Sequence, residues 1–386
     1  MNHNFDEIIP RRGTGSYKWD TPENPDTLPM WVADMDFRTA PAVVDALRKR
    51  VEHGIYGYAK LPEAYYDAVS GWSTRRHQWP VRRESILATS GVVPALSAIL
   101  RALTVPGDKV LLQTPVYNCF FSSLRNLQCV AVDNPLAYRY GTYAIDFADL
   151  ERKAADPGVK LMLLCNPHNP AGRVWTRAEL EEVARICLRH GVFVVSDEIH
   201  CDLTMPGFTH IPFAALSEDA ALRSVTCISP SKAFNLAGIQ VANIVADDET
   251  VRRKIDRALN IHEVCDVNAF AADALIAAYT EGESWLDELR SYLLGNYETL
   301  AAFFRRHLPR YTVLPLEGTY LAWIDCSASG ESGDAVAQKL LEHGLMVNPG
   351  SMYGETGRNF IRMNLACPRS LLHDGLGKIR DALAAS

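Results

Sequence analysis

The chain has 386 residues, of which 48 % are hydrophobic and 22 % are charged, and its formal net charge is -7 at pH 7. This composition excludes a disordered chain, and an acidic chain without a run of lysines and arginines argues against a nucleic-acid or lipid partner. The length allows two domains. We therefore expect a soluble globular protein whose partner is a small molecule.

The nine cysteines are scattered along the chain and never form a C-x-x-C pair. This pattern predicts reduced core residues in a reducing compartment, and neither a disulfide framework nor a zinc site. The N-terminal stretch "MNHNFDEIIPRRGTGSYKWD" is polar, and no apolar run reaches the ~18 residues needed to span a bilayer. We expect a cytoplasmic protein without a membrane segment.

The stretch "ATSGVVPALSAILRAL" at 88–103 joins the end of an apolar strand to the beginning of a helix. Gly91 stands at the bend, and Val92 follows it where the helix opens and its N–H groups lack partners within the helix. Such a helix start can bind phosphate, and the same pattern also fits an ordinary N-cap. A Walker loop is absent from the sequence, as is a G-x-G-x-x-G loop after a strand.

Residues 80–245 alternate short β-rich runs with helical stretches. The runs "KVLLQTP", "VKLMLLCNP", "GVFVVSDE" and "SVTCISPSK" are apolar on both faces, which is typical of buried parallel strands. Between them, "TRAELEEVARICLRHG" predicts a helix with Thr176 as its N-cap, Glu179 as the capping-box partner and Gly191 as the C-terminal stop. The alternation predicts an α/β fold with helices on both faces of one sheet.

Polar residues follow these apolar runs, at the sheet edge where α/β proteins bind ligands. Tyr117 fits a ring that covers core and equally a ring that stacks on a planar cofactor. Asn169 fits a turn residue and also a donor to a phenolic oxygen. Asp197 fits a cap of the next turn and also a carboxylate that keeps a pyridine nitrogen protonated. The residues by themselves leave these alternatives open.

Lys232 stands in "SPSKAFNLAG", directly after the strand-like run "SVTCI". Because lysine is seldom fully buried, it fits a side chain that reaches solvent or pairs with a carboxylate. It also fits an amine whose pKa is lowered and which forms a Schiff base with a carbonyl compound. Lys232 lies at the same predicted edge of the sheet as the polar residues above.

Residues 250–308 predict helices, with "TEGESWLDELRSYLLGNYETLAAFFRRH" as one long element. Beyond them, "YTVLPLEGTYLAWIDCS", "GLMVNPGSMYG" and "NFIRMNLACP" predict strands of a second, smaller α/β unit, and "LLHDGLGKIRDALAA" predicts its closing helix. The sequence contains no repeat and no flexible linker, so we expect the two units to pack directly against each other.

Five segments in order, "SGVVPAL", "TPVY", "NPHNPAGRVW", "SDEIHCDL" and "SPSKAFNLAG", resemble the fold-type I enzymes that use pyridoxal 5′-phosphate, the aminotransferase class I and II superfamily. The flanking "GSYKWD", "LPMWVADMDF", "YGYAKLPE", "EGTYLAWIDC" and "NFIRMNLACP" are similar to its cystathionine β-lyase and cysteine-S-conjugate β-lyase branch. The resemblance runs from about residue 10 to the C-terminus. It implies a large domain at 50–284, with a mixed, mostly parallel sheet between helices, and a small α/β domain formed by 1–49 and 285–386.

The resemblance also implies pyridoxal 5′-phosphate as the cofactor and Lys232 as the lysine that forms a Schiff base with it. Asp197 is expected to hold the pyridine nitrogen, Asn169 the ring oxygen, and Tyr117 to stack on the ring. The expected phosphate ligands are Gly91, Val92, Ser229, Ser231 and Tyr56.

Tyr56 is expected to reach the phosphate from the neighbouring subunit of a homodimer. Arg362 is expected to pair with the α-carboxylate of an amino-acid substrate, because its planar fork binds both carboxylate oxygens. The backbone of Ala33 is expected to line the substrate side. No metal ligand is expected, and His168, His200 and His262 receive no role because a lone histidine near a strand end is usually structural.

The implied activity is β-elimination of L-cystathionine or a related cysteine S-conjugate to a thiol, pyruvate and ammonia. An aminotransferase would use the same residues, but many aminotransferases have a phosphate-binding arginine where this chain has Gln240. Asn118 and Cys119 replace an aromatic residue and a proline of many lyases, which leaves the substrate preference open. A non-catalytic module that senses pyridoxal phosphate or an amino acid is disfavoured, because such relatives carry a basic helix-turn-helix segment and this chain is acidic.

Overall fold

A computed structural model describes residues 3–261 and 263–383 of the chain. The strands are β1 (Leu28–Pro29), β2 (Ile86–Thr89), β3 (Lys109–Leu112), β4 (Val130–Asp133), β5 (Ala137–Arg139), β6 (Thr142–Ala144), β7 (Val159–Cys165), β8 (Phe193–Asp197), β9 (Ser224–Ile228), β10 (Ala242–Val245), β11 (Thr312–Val313), β12 (Leu321–Asp325), β13 (Leu345–Met346), β14 (Asn348–Pro349) and β15 (Phe360–Asn364). The helices are α1 (Tyr17–Asp20), α2 (Pro41–His53), α3 (Glu63–His77), α4 (Val92–Leu103), α5 (Asn118–Asn126), α6 (Phe147–Ala154), α7 (Arg177–His190), α8 (Glu218–Leu222), α9 (Pro230–Ala233), α10 (Glu249–Ile261), α11 (Ala271–Glu281), α12 (Glu283–His307), α13 (Gly333–Glu342) and α14 (Arg369–Leu383).

Seven strands form the main sheet, in the order β2-β10-β9-β8-β7-β3-β4. The neighbours among β4, β3, β7, β8 and β9 are all parallel. In contrast, β10 is antiparallel to both β2 and β9. The four predicted apolar runs contain β3, β7, β8 and β9. The predicted α/β fold with a mixed, mostly parallel sheet is therefore confirmed.

Apolar side chains cover both faces of this sheet. Along β7, Leu161 and Leu163 belong to a core cluster shared with residues of α4 and α10, whereas Met162 and Leu164 belong to a cluster shared with α6 and α7. Because successive strand side chains point to opposite faces, an unbroken apolar run is the sequence of a strand buried on both sides. Each fully buried leucine stabilises the fold by roughly 1.5–3 kcal/mol relative to an exposed one.

The helix boundaries follow local sequence signals. In α7 the Thr176 hydroxyl accepts from the N–H of Glu179 at 3.2 Å, the Glu179 carboxylate accepts from the N–H of Thr176 at 2.8 Å, and Gly191 ends the helix in the left-handed region. The predicted long element is α12, but it begins after Gly282, which separates it from α11. A Cβ atom at Gly282 would lie 2.5 Å from the ring of Phe234, so the break coincides with a close approach that requires glycine.

The C-terminal part contains an antiparallel sheet in the order β11-β12-β15-β14, which includes the strands predicted there. Strand β1, from the N-terminal segment, pairs in parallel with β13. The N-terminal segment therefore pairs with the C-terminal part of the chain. Of the helices in the described ranges, none combines the length and the apolar character that a bilayer crossing requires.

Candidate active site at the carboxyl ends of the strands

A cavity of about 580 Å³ lies where the carboxyl ends of β7 and β8 meet the beginning of α4 and the strand β15. It brings together most of the site residues that the sequence predicts. Those that line it are Ala33, Gly91, Val92, Tyr117, Asn169, Asp197, Ser231, Lys232 and Arg362. Side chains separated by up to about 330 positions in the chain thus share one space, as expected at this edge of an α/β sheet.

Lys232 lies in the single turn of α9, immediately after β9. Its Nζ donates a hydrogen bond of 2.6 Å to the carbonyl oxygen of Ala33. Burial, reinforced by the nearby charge of Arg362, lowers the pKa of Lys232 to about 8. At pH 7 about a tenth of this amine is therefore uncharged, far more than of an ordinary lysine. The uncharged form is the one that attacks a carbonyl carbon or accepts a proton.

Asp197 is the last residue of β8, and its side chain is buried at the cavity wall. One carboxylate oxygen accepts a hydrogen bond of 3.1 Å from the N–H of Ile199. Burial raises the pKa of Asp197 to about 7. Within residues 3–261 and 263–383, no cationic side chain forms an ion pair with it. A buried carboxylate in this position is suited to a ligand that brings its own N–H.

Arg362 reaches the same cavity from β15, a strand of the antiparallel sheet β11-β12-β15-β14. Its two terminal nitrogens donate hydrogen bonds of 3.0 Å to the Asn169 side-chain oxygen and 3.1 Å to the Trp31 carbonyl. The guanidinium lies over the ring of Tyr353, 4.8 Å from its centroid, and the buried Nε has no hydrogen-bond partner among the described residues. Because the Asn169 oxygen is engaged by Arg362, the amide N–H₂ of Asn169 is the group that remains to donate to a ligand.

The beginning of α4 forms another wall. Gly91 is the N-cap, Val92 is the first helical residue, and no side chain of the described residues caps the helix. Ser231 lines the cavity nearby, and its N–H donates to the hydroxyl of Ser229 at 3.1 Å. Uncapped N–H groups at a helix N-terminus, beside a serine hydroxyl, suit an anion.

Two predicted residues lie outside this cavity. Ser229 is buried, and its hydroxyl donates 2.6 Å to the carbonyl of Val241, so it supports the turn that carries Ser231. Tyr56 is 51 % exposed, and its hydroxyl donates 2.9 Å to the carbonyl of Val51. Neither residue lines the cavity of its own chain.

The three histidines without a predicted role differ in their surroundings. His200 is buried and lines the cavity, and burial together with the charge of Lys232 holds its pKa well below the usual range. His168 is buried away from the cavity, where its Nε2 donates 2.8 Å to the carbonyl of Pro115, and burial lowers its pKa to about 4. His262 lies outside the described residues.

Sequence reasoning missed several cavity residues. Tyr353 supports Arg362, and Asn348 donates hydrogen bonds of 3.1 Å to the Trp31 carbonyl and 3.0 Å to the Tyr353 hydroxyl. Tyr17 and Met352 also line the cavity. The only sequence signal was that these residues lie within or beside the segments "GSYKWD", "LPMWVADMDF" and "GLMVNPGSMYG".

The aminotransferase class I and II family model matches residues 26–379. The chain belongs to this family. Cystathionine β-lyase PatB of Bacillus subtilis is 46 % identical over 386 residues, which cover 99 % of this chain and all of the relative. Protein MalY of Escherichia coli is 33 % identical, over 99 % of both chains. The crystal structure of cystalysin from Treponema denticola, which contains pyridoxal 5′-phosphate, is similar with a TM-score of 0.97 and 34 % identity over both full chains.

The cavity has the chemistry that pyridoxal 5′-phosphate requires. Asp197 offers a buried carboxylate that has no cationic partner within the described part of the chain, which suits a protonated pyridine nitrogen. The uncapped start of α4 suits a phosphate, and Lys232 offers an amine of lowered pKa. The cofactor of this family member is pyridoxal 5′-phosphate.

Proposed function

We propose that the chain is a pyridoxal-phosphate-dependent carbon–sulfur β-lyase that acts on L-cystathionine or a related cysteine S-conjugate. The elimination is supported by the similarity to cystathionine β-lyase PatB. One observation of the site supports the first step, which an aminotransferase would share. The guanidinium of Arg362, with its unpartnered Nε, faces the same cavity as the amine of Lys232. An α-amino-acid substrate that loses its Cα proton needs two groups: a cation to bind its carboxylate, and a base, here with a pKa of about 8, to accept the proton.

The bound cofactor supplies an electron-withdrawing ring, which stabilises the negative charge that develops at Cα. In our proposal Asp197 keeps the pyridine nitrogen protonated, Asn169 donates its amide N–H to the ring oxygen, and Tyr117 stacks on the ring. Gly91, Val92 and Ser231 hold the phosphate. Ser229 contributes by positioning Ser231, because its own hydroxyl bonds to the Val241 carbonyl.

Arg362 orients the substrate by binding its α-carboxylate, while the backbone of Ala33 lines the substrate side. Lys232 removes the Cα proton, and the sulfur then leaves Cβ with the bonding electron pair as a thiolate. The released enamine adds water and yields pyruvate and ammonia.

The experiment that tests this reaction follows pyruvate release from L-cystathionine by purified protein with pyridoxal 5′-phosphate, with and without a 2-keto acid. We expect pyruvate without the keto acid. Amino-group transfer that depends on the keto acid, without spontaneous pyruvate, would establish an aminotransferase instead. Lys232→Ala should abolish turnover while part of the cofactor binding remains, and normal pyruvate release by this variant would refute the role of Lys232.

We propose a homodimer in which Tyr56 completes the phosphate site of the partner subunit. The segment around Tyr56 exposes large apolar side chains, with Ile55 69 % exposed and Tyr58 fully exposed, which favours coverage by a second copy. Mixing inactive Lys232→Ala subunits with Tyr56→Phe subunits should form hybrid dimers containing one site with both wild-type residues. If such hybrids show no more activity than the separate variants, Tyr56 does not act across the interface.

The proposed large domain comprises residues 50–284, and the proposed small domain comprises 1–49 and 285–386. Pairing of β1 with β13 supports the assignment of both chain ends to one unit. We also place the protein in the cytoplasm, supported by the free state of all nine cysteines.

A further inference from the structure

A second polar site lies between α3 and the loop that follows β8. His77 is the last residue of α3, and Cys201 and Asp202 lie in the loop shortly after Asp197. One ligand atom from each of His77, Cys201 and Asp202 lies within 4.8 Å of the other two. An imidazole nitrogen, a thiol sulfur and a carboxylate oxygen are the three donor types that zinc binds in proteins.

The three side chains adjoin a small space. A cavity of about 10 Å³ is lined by His77, Cys201 and Asp202 together with Glu198. This volume is close to that of a single water-sized probe, so the space suits one atom. Beside it lies an open polar pocket of about 210 Å³, which the same three residues also line and which would admit an ion and a water molecule.

The carboxylate of Asp202 is only partly satisfied. Its Oδ1 accepts hydrogen bonds of 2.9 Å from Nε1 of Trp72 and 2.8 Å from Nε2 of His77. Its Oδ2 is buried and has no hydrogen-bond partner within the described part of the chain, and the residue as a whole is 3 % exposed. A buried carboxylate oxygen without a partner is costly, and a bound cation would remove that cost.

The surrounding charges permit a cation. Three arginines line the pocket, but each is paired with a carboxylate: Arg76 with Asp287 at 2.8 Å, Arg290 with Asp287 at 3.2 Å, and Arg75 with Glu283 at 3.8 Å. The buried carboxylates Asp202 and Glu198 add further negative charge. The carboxylates therefore outnumber the arginines, which favours a positive ligand.

We propose that His77, Cys201 and Asp202 bind a zinc ion, with a water molecule as the fourth ligand. Tetrahedral coordination at the usual bond lengths of about 2.0–2.3 Å separates ligand atoms by roughly 3.3–3.8 Å, within the observed spacing. On binding, the Cys201 thiol releases its proton to solvent and bonds through the thiolate. The proton that Nε2 of His77 donates to Asp202 is exchanged through solvent to Nδ1, so that the neutral imidazole bonds the ion through Nε2 in place of the hydrogen bond to Asp202.

Such an ion would join the end of α3 to the loop that continues from Asp197. That loop also carries His200 into the cofactor cavity. The ion would therefore stabilise the loop against local opening without taking part in the reaction. This role makes thermal stability, and not turnover, the sensitive readout.

The test uses untagged holoenzyme, because a histidine tag would bind metal itself. After incubation with zinc chloride and dialysis, we expect one zinc per chain, and X-ray absorption should show a single sulfur among its ligands. Cys201→Ser and His77→Gln should weaken zinc binding about 100-fold or more and remove the rise in Tm that zinc produces. Cys265→Ser removes a thiol outside the cluster and should behave like the unaltered protein.

Three results would overturn the zinc site. The first is unaltered protein that retains no zinc, and the second is zinc held equally by Cys201→Ser. The third is a spectrum with two or more sulfur ligands, since the ion would then bind elsewhere. If Cys201→Ser does not fold, the sulfur count of the unaltered protein and the affinity of His77→Gln decide the question.

Discussion

Replacing Arg362 by lysine tests the proposed recognition of the substrate carboxylate. Lysine keeps the positive charge but presents a single point donor in place of the planar fork. In the structure both terminal nitrogens of Arg362 already donate hydrogen bonds, and the guanidinium lies 4.8 Å above the Tyr353 ring. The substitution therefore removes the planar fork that we propose binds both carboxylate oxygens of the substrate, and also the contact with Tyr353, while the charge of the cavity stays the same.

The size of the effect follows from these contacts. Loss of one charge-assisted hydrogen bond to the substrate costs about 1.5–3 kcal/mol. The contact with Tyr353 exists already in the free protein and does not add to this loss. The expected decrease in kcat/KM is therefore about 13- to 160-fold. Because the carboxylate is bound throughout the reaction, most of the loss should be a higher KM.

The assay is pyruvate release over a range of L-cystathionine concentrations, with cofactor content measured for each protein. Arg358→Lys is the matched control, because Arg358 is exposed, pairs with Glu355 at 2.9 Å and does not line the cavity. We expect the control to retain normal kinetics. An Arg362→Lys variant with normal cofactor content and an unchanged KM would refute the assignment.

Three further predictions concern the cofactor site. Since the pKa of Lys232 is about 8, the rate at which pyridoxal 5′-phosphate attaches to the apoprotein should fall about tenfold for each pH unit below 8 and stay constant above it. A rate that does not change with pH in stopped-flow measurements would contradict this. Burial raises the pKa of Asp197 from 3.8 to about 7. Between these pH values the folded apoprotein holds a proton that the unfolded chain has released, so the free energy of unfolding falls as the pH rises. The decrease from pH 5 to pH 8 is about 3 kcal/mol. Asp197→Asn should remove this component of the pH dependence in urea unfolding, and equal slopes for both proteins would refute it. Tyr56→Phe should weaken cofactor binding about tenfold in fluorescence titrations, through loss of one hydrogen bond to the phosphate, and unaltered affinity would argue against that contact.

Local sequence signals predicted much of the framework. The apolar runs that became β3, β7, β8 and β9 were recognisable because a strand buried on both faces needs apolar residues at every position. The capping box of α7 was recognisable because Thr176 and Glu179 satisfy N–H groups within the same turn. The motif order also pointed to Lys232, Asp197 and Asn169, which lie at the ends of adjacent parallel strands or in the turns after them.

Local sequence signals could not predict the contacts between segments that lie far apart in the chain. No local pattern predicts that Arg362 hydrogen-bonds to Asn169 and Trp31, because these contacts depend on how the antiparallel sheet packs against the main one. The same holds for Lys232, whose partner is the backbone of Ala33. The pKa values of Lys232 and Asp197 also depend on this packing, since burial is their main cause.

Local sequence patterns were enough to predict the fold class, the buried strands β3, β7, β8 and β9, and the polar residues that follow them. These depend on interactions between residues a few positions apart, which a linear pattern records directly. The folded arrangement was needed to show which side chains share the cofactor cavity, that Ser229 supports Ser231 from outside that cavity, and that His77 lies beside Cys201 and Asp202. Those arrangements arise from packing between elements that are far apart in sequence. The same pattern of apolar and polar residues is compatible with many ways of packing these elements, so the pattern does not select one of them.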